Sequence, residues 1–250
     1  MGEDAVMKVR FAGSGDAFGS GGRWQTCIHL SGEGQVLLVD CGATSLVALK
    51  AQGLDPNAID SVAVTHLHGD HFGGLPFLIL DGQFSRRSAP LHVAGPPGIR
   101  ARLTEAMEAL FPGSSQAQRR FDVEITELRP DGKPAALGAA TVRGWEVEHA
   151  CGAPPLALRV DLGGASFAYS GDTQWTPVLA QTAYGADLLA LEAYTFDRPV
   201  RYHLDYQTLH AHLGQLRAQR IVLTHMSVAM LTRLADAELP AAYDGMILDL

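Results

Sequence analysis

Three imidazoles and a carboxylate fall within six positions in His66-Leu67-His68-Gly69-Asp70-His71, directly after the apolar run Val62–Val64. Neutral imidazole and carboxylate bind zinc, manganese or iron at about 2 Å. In an extended segment residues 66 and 68 face the same side, so both imidazoles can meet one ion. Gly69 then turns the chain, and Asp70 and His71 leave in another direction, suited to a second ion nearby. Two ions about 3.5–4 Å apart can hold a bridging hydroxide at neutral pH. A polar turn with solvated histidines is the plain alternative, and it suits an isolated His better than four candidate ligands at the end of a buried strand.

Further ligands should also stand at strand ends. His149 follows Val142–Glu148, Asp172 follows Phe167–Tyr169 in Ser170-Gly171-Asp172-Thr173, and His225 ends Ile221–Thr224. Asp172 has two oxygens and a negative charge, so it can bridge two cations. Taken singly, His149 and His225 are as readily surface histidines; their common position singles them out. The runs 62–66 and 221–225 are a weak internal echo, each an apolar strand delivering Thr-His. His210 and His212 lie two apart on an expected helix and do not share a face. His29 and His92 are expected to be structural.

These groups need rigid carriers. Apolar runs predict strands at Lys8–Phe11, Val36–Val39, Val62–Val64, Leu91–Val93, Phe121–Leu128, Thr141–Glu148, Leu156–Leu162, Phe167–Tyr169, Asp187–Leu191, Ile221–Leu223 and Met246–Leu248. Helices are expected from Thr44 or Ser45 to Gln52, and over Gly74–Leu80, Ile99–Leu110, Trp175–Ala183, Gln207–Ala218 and Val228–Ala235. Gly13–Gly22 lacks the Lys-Ser/Thr of a nucleotide P-loop and is expected to make a turn whose backbone approaches the site. No linker divides the chain, so residues 1–250 read as one α/β domain: two mixed sheets face to face with helices outside.

Composition narrows the function. Lys and Arg number 19 against 27 Asp and Glu, a net charge of −8, which argues against a general nucleic-acid coat protein. Arg86-Arg87, Arg100, Arg102 and Arg119-Arg120 form either a local phosphate-attracting rim or an ordinary solvated surface. The 3 Cys (27, 41, 151) are too few for a disulfide framework or a Cys-based zinc site, which fits a reducing compartment. Glu3 and Asp4 stand where a signal peptide needs positive charge, and no apolar stretch approaches ~18 residues. A soluble cytoplasmic protein is expected.

His-x-His-x-Asp-His, then a lone His, Ser-Gly-Asp-Thr and a late Thr-His resemble the metallo-β-lactamase superfamily from Phe11 to His225. The resemblance implies an αββα sandwich with a two-metal site at one edge. It assigns His66, His68 and His149 to one ion and Asp70, His71 and His225 to the other, with Asp172 bridging. His68 stands where the oxygen-reducing branch carries an acidic residue, which implies hydrolysis. Gly13-Ser14-Gly15-Asp16, Leu38-Val39-Asp40-Cys41-Gly42 and Gly73-Gly74-Leu75-Pro76 look closest to the ribonuclease Z and phosphodiesterase branch. There a Glu and a late His help protonate the leaving oxygen, and Glu192 and His203 match them.

Ribonuclease Z proteins usually carry a long tRNA-gripping arm between the third ligand His and the bridging Asp. Here His149 and Asp172 are 23 positions apart, too close for an arm plus two strands. Leu204-Asp205 also replaces the small hydroxyl residues usual after that His. The expectation is a phosphodiesterase with two divalent ions, zinc first and manganese or iron next, acting on a small phosphodiester or nucleotide-like substrate. Asp70 would orient the attacking water, and His203, held by Glu192, would act as general acid. A thioester or lactone hydrolase on the same site, a tRNA 3′-end nuclease and a non-catalytic metal-binding protein are the alternatives. Extended nucleic acid is not favoured, no membrane is expected, and the missing arm leaves room for a homodimer partner.

Overall fold

The computed structural model describes residues 7–250; Glu3 and Asp4 lie outside them. The chain runs through β1 (Lys8–Gly13), β2 (Cys27–Gly32), β3 (Gln35–Val39), α1 (Ser45–Ala51), β4 (Ser61–Ala63), α2 (Gly69–Phe72), α3 (Leu75–Phe84), β5 (Leu91–Gly95), α4 (Ile99–Leu110) and β6 (Val123–Glu127). It continues with β7 (Ala135–Leu137), β8 (Ala140–Glu146), β9 (Leu156–Leu162), β10 (Ala165–Tyr169), α5 (Val178–Ala183), β11 (Leu188–Glu192), α6 (Tyr206–His212), β12 (Arg220–Thr224), α7 (Val228–Leu231) and β13 (Ile247–Asp249). Among the described residues these strands form one sheet in the order β13-β1-β2-β3-β4-β5-β6 and another in the order β12-β11-β10-β9-β8-β7. Both sheets mix parallel and antiparallel pairs.

Alternation along each strand explains the layers. Val9, Phe11, Ile28, Leu30, Leu37 and Val39 meet Leu156, Leu158, Val160, Phe167 and Tyr169 in the core between the sheets. The intervening Leu38, Val62 and Val64 face outward against Leu49 of α1, Leu75 and Ile79 of α3, and Leu103 of α4. Ala168, Leu189 and Leu191 do the same against α5, α6 and α7 through Leu179, Leu209 and Met230. A strand covered on both faces reads as a continuous apolar run, and this is the four-layer αββα arrangement expected from the sequence.

Several boundaries differ from expectation. β2 was not anticipated; its inward Ile28 and Leu30 alternate with the polar His29 and Ser31, and the glycine-rich segment before it hides its start. β7 is a three-residue partner of β8, defined by pairing alone. α6 ends at His212 and α7 at Leu231, each followed by a short 3-10 turn. The ladder of β4 stops before the histidine motif. Val64 still donates to Ala94 O, but the Thr65 amide donates to the Asp40 carboxylate at 2.7 Å. His66 and His68 therefore lie in an irregular connection rather than in a strand, and His68 stands at the N-cap position of α2. Close backbone approach holds this connection: a Cβ on Gly42 would sit 2.2 Å from Asp70 O, and one on Gly74 equally close to Gly42 O. Among the described residues no helix is long and apolar enough to cross a membrane.

Candidate metal centre

The sheet edge gathers seven predicted side chains into two groups. His66, His68 and His149 form one, and Asp70, His71, Asp172 and His225 the other; within each, the available donor atoms lie within 4.8 Å of one another. In the first, His149 Nε2 is 3.1 Å from His68 Nδ1. In the second, His71 Nε2 and His225 Nε2 face each other at 3.2 Å, and Asp70 Oδ2 is 3.2 Å from both. Asp172 reaches across: Oδ1 lies 3.2 Å from His71 Nε2, while Oδ2 lies 4.0 Å from His66 Nε2. The His66 and His71 ring centres are 4.1 Å apart, so the groups adjoin.

The outward ring nitrogens are held by the protein. Asp40 Oδ2 is 2.6 Å from His71 Nδ1. Thr65 Oγ1 is 3.0 Å from His66 Nδ1 and 2.8 Å from Asp40 Oδ2. His149 Nδ1 lies 3.0 Å from the carbonyl of Tyr202, a residue with φ of 69°. Glu192 Oε1 is 3.3 Å from His225 Nδ1 and 2.5 Å from His203 Nδ1. The contacts on His66, His71 and His149 set the tautomers that turn their Nε2 inward, whereas His225 Nδ1 only lies near Glu192 without an aligned hydrogen bond.

The electrostatics fit cations. Burial pushes His66 well below the ordinary imidazole value, so the ring is a neutral donor. Burial also opposes charge on His71 and His225, but Asp172 and Asp70 overcome it, lifting His71 well up and His225 to about 10. Conversely, burial would raise both carboxyls, yet His71 and His225 hold Asp70 and Asp172 below the usual carboxylate range. The two carboxylates of the buried group thus offer negative charge that favours a cation beside them. His66 Nε2 and Asp172 Oδ1 are buried without a well-aligned hydrogen-bond partner. Orphaned donors facing one another among imidazoles and carboxylates are what divalent metal ions require.

Glu192 and His203 stand beside these groups. Glu192 is fully buried and its Oε2 accepts from the amides of Thr173 at 2.9 Å and Leu204 at 3.3 Å. Burial weighs against charge on His203, but Glu192, then Asp172, raises it above the ordinary value. Tyr194, not anticipated from the sequence, stacks on His203 with ring centres 4.6 Å apart. A cleft of about 200 Å³ opens over both groups, walled by Ala17 and Phe18 of the glycine-rich turn and by Tyr194 and His203.

The remaining candidates lie elsewhere. His92 faces Glu124, His210 faces Glu238, and His212 stacks on Trp175. Arg87 is buried and donates to the carbonyls of Ile59, Ala89 and Pro90, while Arg100 donates to Ile125 O. None of the arginines weighed as a phosphate rim lines the cleft. Cys27 and Cys41 are free and buried, and burial pushes the Cys27 thiol up to about 12, far from a nucleophile. Asp40 enters the sequence reading only within the Leu38-Val39-Asp40-Cys41-Gly42 motif and without a role at the site; its place after the buried run Leu37–Val39 is the available signal.

Comparison with known proteins agrees with this geometry. The protein family described as anti-Pycsar protein Apyc1 matches residues 7–238. A protein named ribonuclease Z from Agathobacter rectalis is 30% identical over 128 residues, 51% of this chain but only 40% of its own length. Human tRNase Z, short form, superposes with a TM-score of 0.78 at 26% identity, over 97% of this chain and 98% of that one. The metallo-β-lactamase fold protein YhfI of Bacillus subtilis gives 0.77 at 19% identity, over 97% and 99%. The chain therefore belongs to the family described as anti-Pycsar protein Apyc1, within the ribonuclease Z and phosphodiesterase branch of the metallo-β-lactamase superfamily.

Proposed function

We propose that this protein is a metal-dependent phosphodiesterase acting on a small phosphodiester or nucleotide-like substrate. His66, His68 and His149 would hold one divalent ion and Asp70, His71 and His225 a second, with Asp172 shared. Zinc suits the imidazole-rich donors best, with manganese or iron as substitutes. When bound, the ions would make a water acidic enough to attack at neutral pH and offset charge gathering on the phosphoryl oxygens. Asp70 lines the cleft and would accept a hydrogen bond from the attacking water. His203 would give its proton to the leaving oxygen; with Nδ1 held by Glu192, Nε2 is the nitrogen free to do so.

The Glu192–His203 pair beside the metal-ligand groups carries this reading. An alkoxide leaving group needs a proton, whereas a thiolate needs little help. The small cleft supports a small substrate. So does the chain between His149 and Asp172, which is taken up by β9, β10 and their tight turn, where the resemblance would place a tRNA-gripping arm. Free cysteines support a cytoplasmic setting. A homodimer remains part of this proposal, and the exposed Val47 on α1 and Phe84 on α3 are apolar side chains that a second copy would cover. Residues 1–250 would form one hydrolase domain.

The test is turnover of bis-p-nitrophenyl phosphate by zinc- or manganese-loaded protein, beside a thioester and lactone panel. The phosphodiester should be cleaved, with two ions per chain by elemental analysis. Turnover confined to the carboxyl substrates would reject the reading.

A further inference from the structure

Phe18 is 84% exposed, more than any other large hydrophobic side chain among the described residues. It lies at the mouth of the cleft that holds His68, Asp70, Asp172 and His203. Its backbone is not a loose loop. Asp16 is buried, and its Oδ1 accepts from the amides of Phe18 at 3.2 Å and Ser20 at 2.9 Å. Asp16 Oδ2 accepts from Ser20 Oγ at 2.7 Å, and Gln25 Nε2 donates to Ala17 O at 3.0 Å. Gly19 completes the knuckle at φ 68°. The fold thus fixes the backbone that carries an exposed aromatic ring beside a highly polar site.

An aromatic ring carried on a fixed backbone at the mouth of a polar cleft suits a planar substrate group. Every nucleobase presents a planar π-face, and stacking on a fixed aromatic ring recognises it without hydrogen bonds. Tyr194 is already engaged against His203, so Phe18 is the ring left free for substrate. We propose that Phe18 is a specificity-determining residue of this site, the face on which the base of a nucleotide substrate stacks while its phosphate enters the cleft. The inference rests on the phosphodiesterase reading above and extends it to the part of the substrate beyond phosphorus.

The test compares thymidine 5′-monophosphate with inorganic phosphate by calorimetric titration into zinc-loaded wild-type, Phe18→Ala and Phe18→Trp proteins. Wild type should bind the nucleotide about tenfold or more tighter than phosphate, the range that one base–aromatic stack supplies. Phe18→Ala should erase that preference while phosphate affinity stays put, and Phe18→Trp should restore it. A preference that survives Phe18→Ala, an equal loss for both ligands, or no preference in wild type overturns the inference. Wild-type turnover of bis-p-nitrophenyl phosphate separates the two readings. With turnover present, such results reject the role of Phe18 alone; with no turnover and no phosphate binding, the phosphodiesterase reading falls and this one falls with it.

Discussion

The two candidate ligand groups are neighbours of opposite character. His66, His68 and His149 are all imidazole, and His68 and His149 are only half-buried at the cleft. Asp70, His71, Asp172 and His225 are buried throughout and include two carboxylates. Charge explains what each offers an ion. The buried group gives a cation both donors and countercharge in a low-dielectric setting, whereas the open group gives neutral donors and access to substrate. The six-residue motif supplies both because α2 starts at Gly69: His66 and His68 remain in the connection above it, while Asp70 and His71 ride the helical turn below. Occupancy should follow the same ranking, with the open group losing its ion first.

The sharpest way to break this ranking is at the residue common to both groups. Asp172→Asn removes the charge that faces both His71 and His66. Elemental analysis should find both ions depleted, and phosphodiester hydrolysis should fall by about 10⁴-fold or more, because the lowered pKa of water goes with them. His149→Ala should deplete one ion and leave the buried group loaded. If His149→Ala strips both ions and Asp172→Asn strips neither, the groups do not differ as their charges require.

His203 tests whether the chemistry beside the groups is separable from the ions. His203→Ala should lower kcat by about a hundredfold for substrates with alkoxide leaving groups and far less for p-nitrophenyl esters. Metal content should be unchanged. Equal losses for good and poor leaving groups would remove His203 from the acid role and leave Glu192 as a buried acceptor for the Thr173 and Leu204 amides.

The positions of the candidate ligands were legible in the sequence for a physical reason. Apart from His149, which follows β8, where buried Val142 alternates with half-buried Thr141 and Arg143, each follows a doubly covered strand. Such a strand writes itself as an apolar run, and the polar residue after the run must emerge at the sheet edge. Val62–Val64, Phe167–Tyr169 and Ile221–Leu223 all obey this, and so the edge and the convergence could be read. What holds the ligands could not. His149 is oriented by the backbone of Tyr202, and no side chain announces a carbonyl. Strand periodicity gave His66 and His68 a common direction by the wrong route, since Thr65 leaves the ladder for Asp40, a residue 25 positions earlier. Beside it, Gly42 and Gly74 let the segment after β3 pack closely on the segment after the histidine motif, which is visible only once the loops are packed.

Asp40 offers the finest test, because it binds the two groups together. Its Oδ2 accepts from His71 Nδ1, in the buried group. It also accepts from Thr65 Oγ1, and a hydroxyl that donates to Asp40 is left to accept from His66 Nδ1, in the open group. One carboxylate therefore fixes the inward nitrogen of an imidazole on each side. Asp40→Asn must point an N–H either at His71 Nδ1 or at the Thr65 amide that Oδ1 holds, so one side of the arrangement is broken whichever way the amide turns, and metal affinity should drop about ten- to a hundredfold. Thr65→Val breaks only the His66 branch and keeps the His71 contact. It should weaken the open group's ion by about tenfold or less and leave the buried one in place, as competitive chelator titration would resolve. A Thr65→Val protein that loses both ions together would mean the groups act as one unit, and the contrast in burial and charge would then have no consequence for binding.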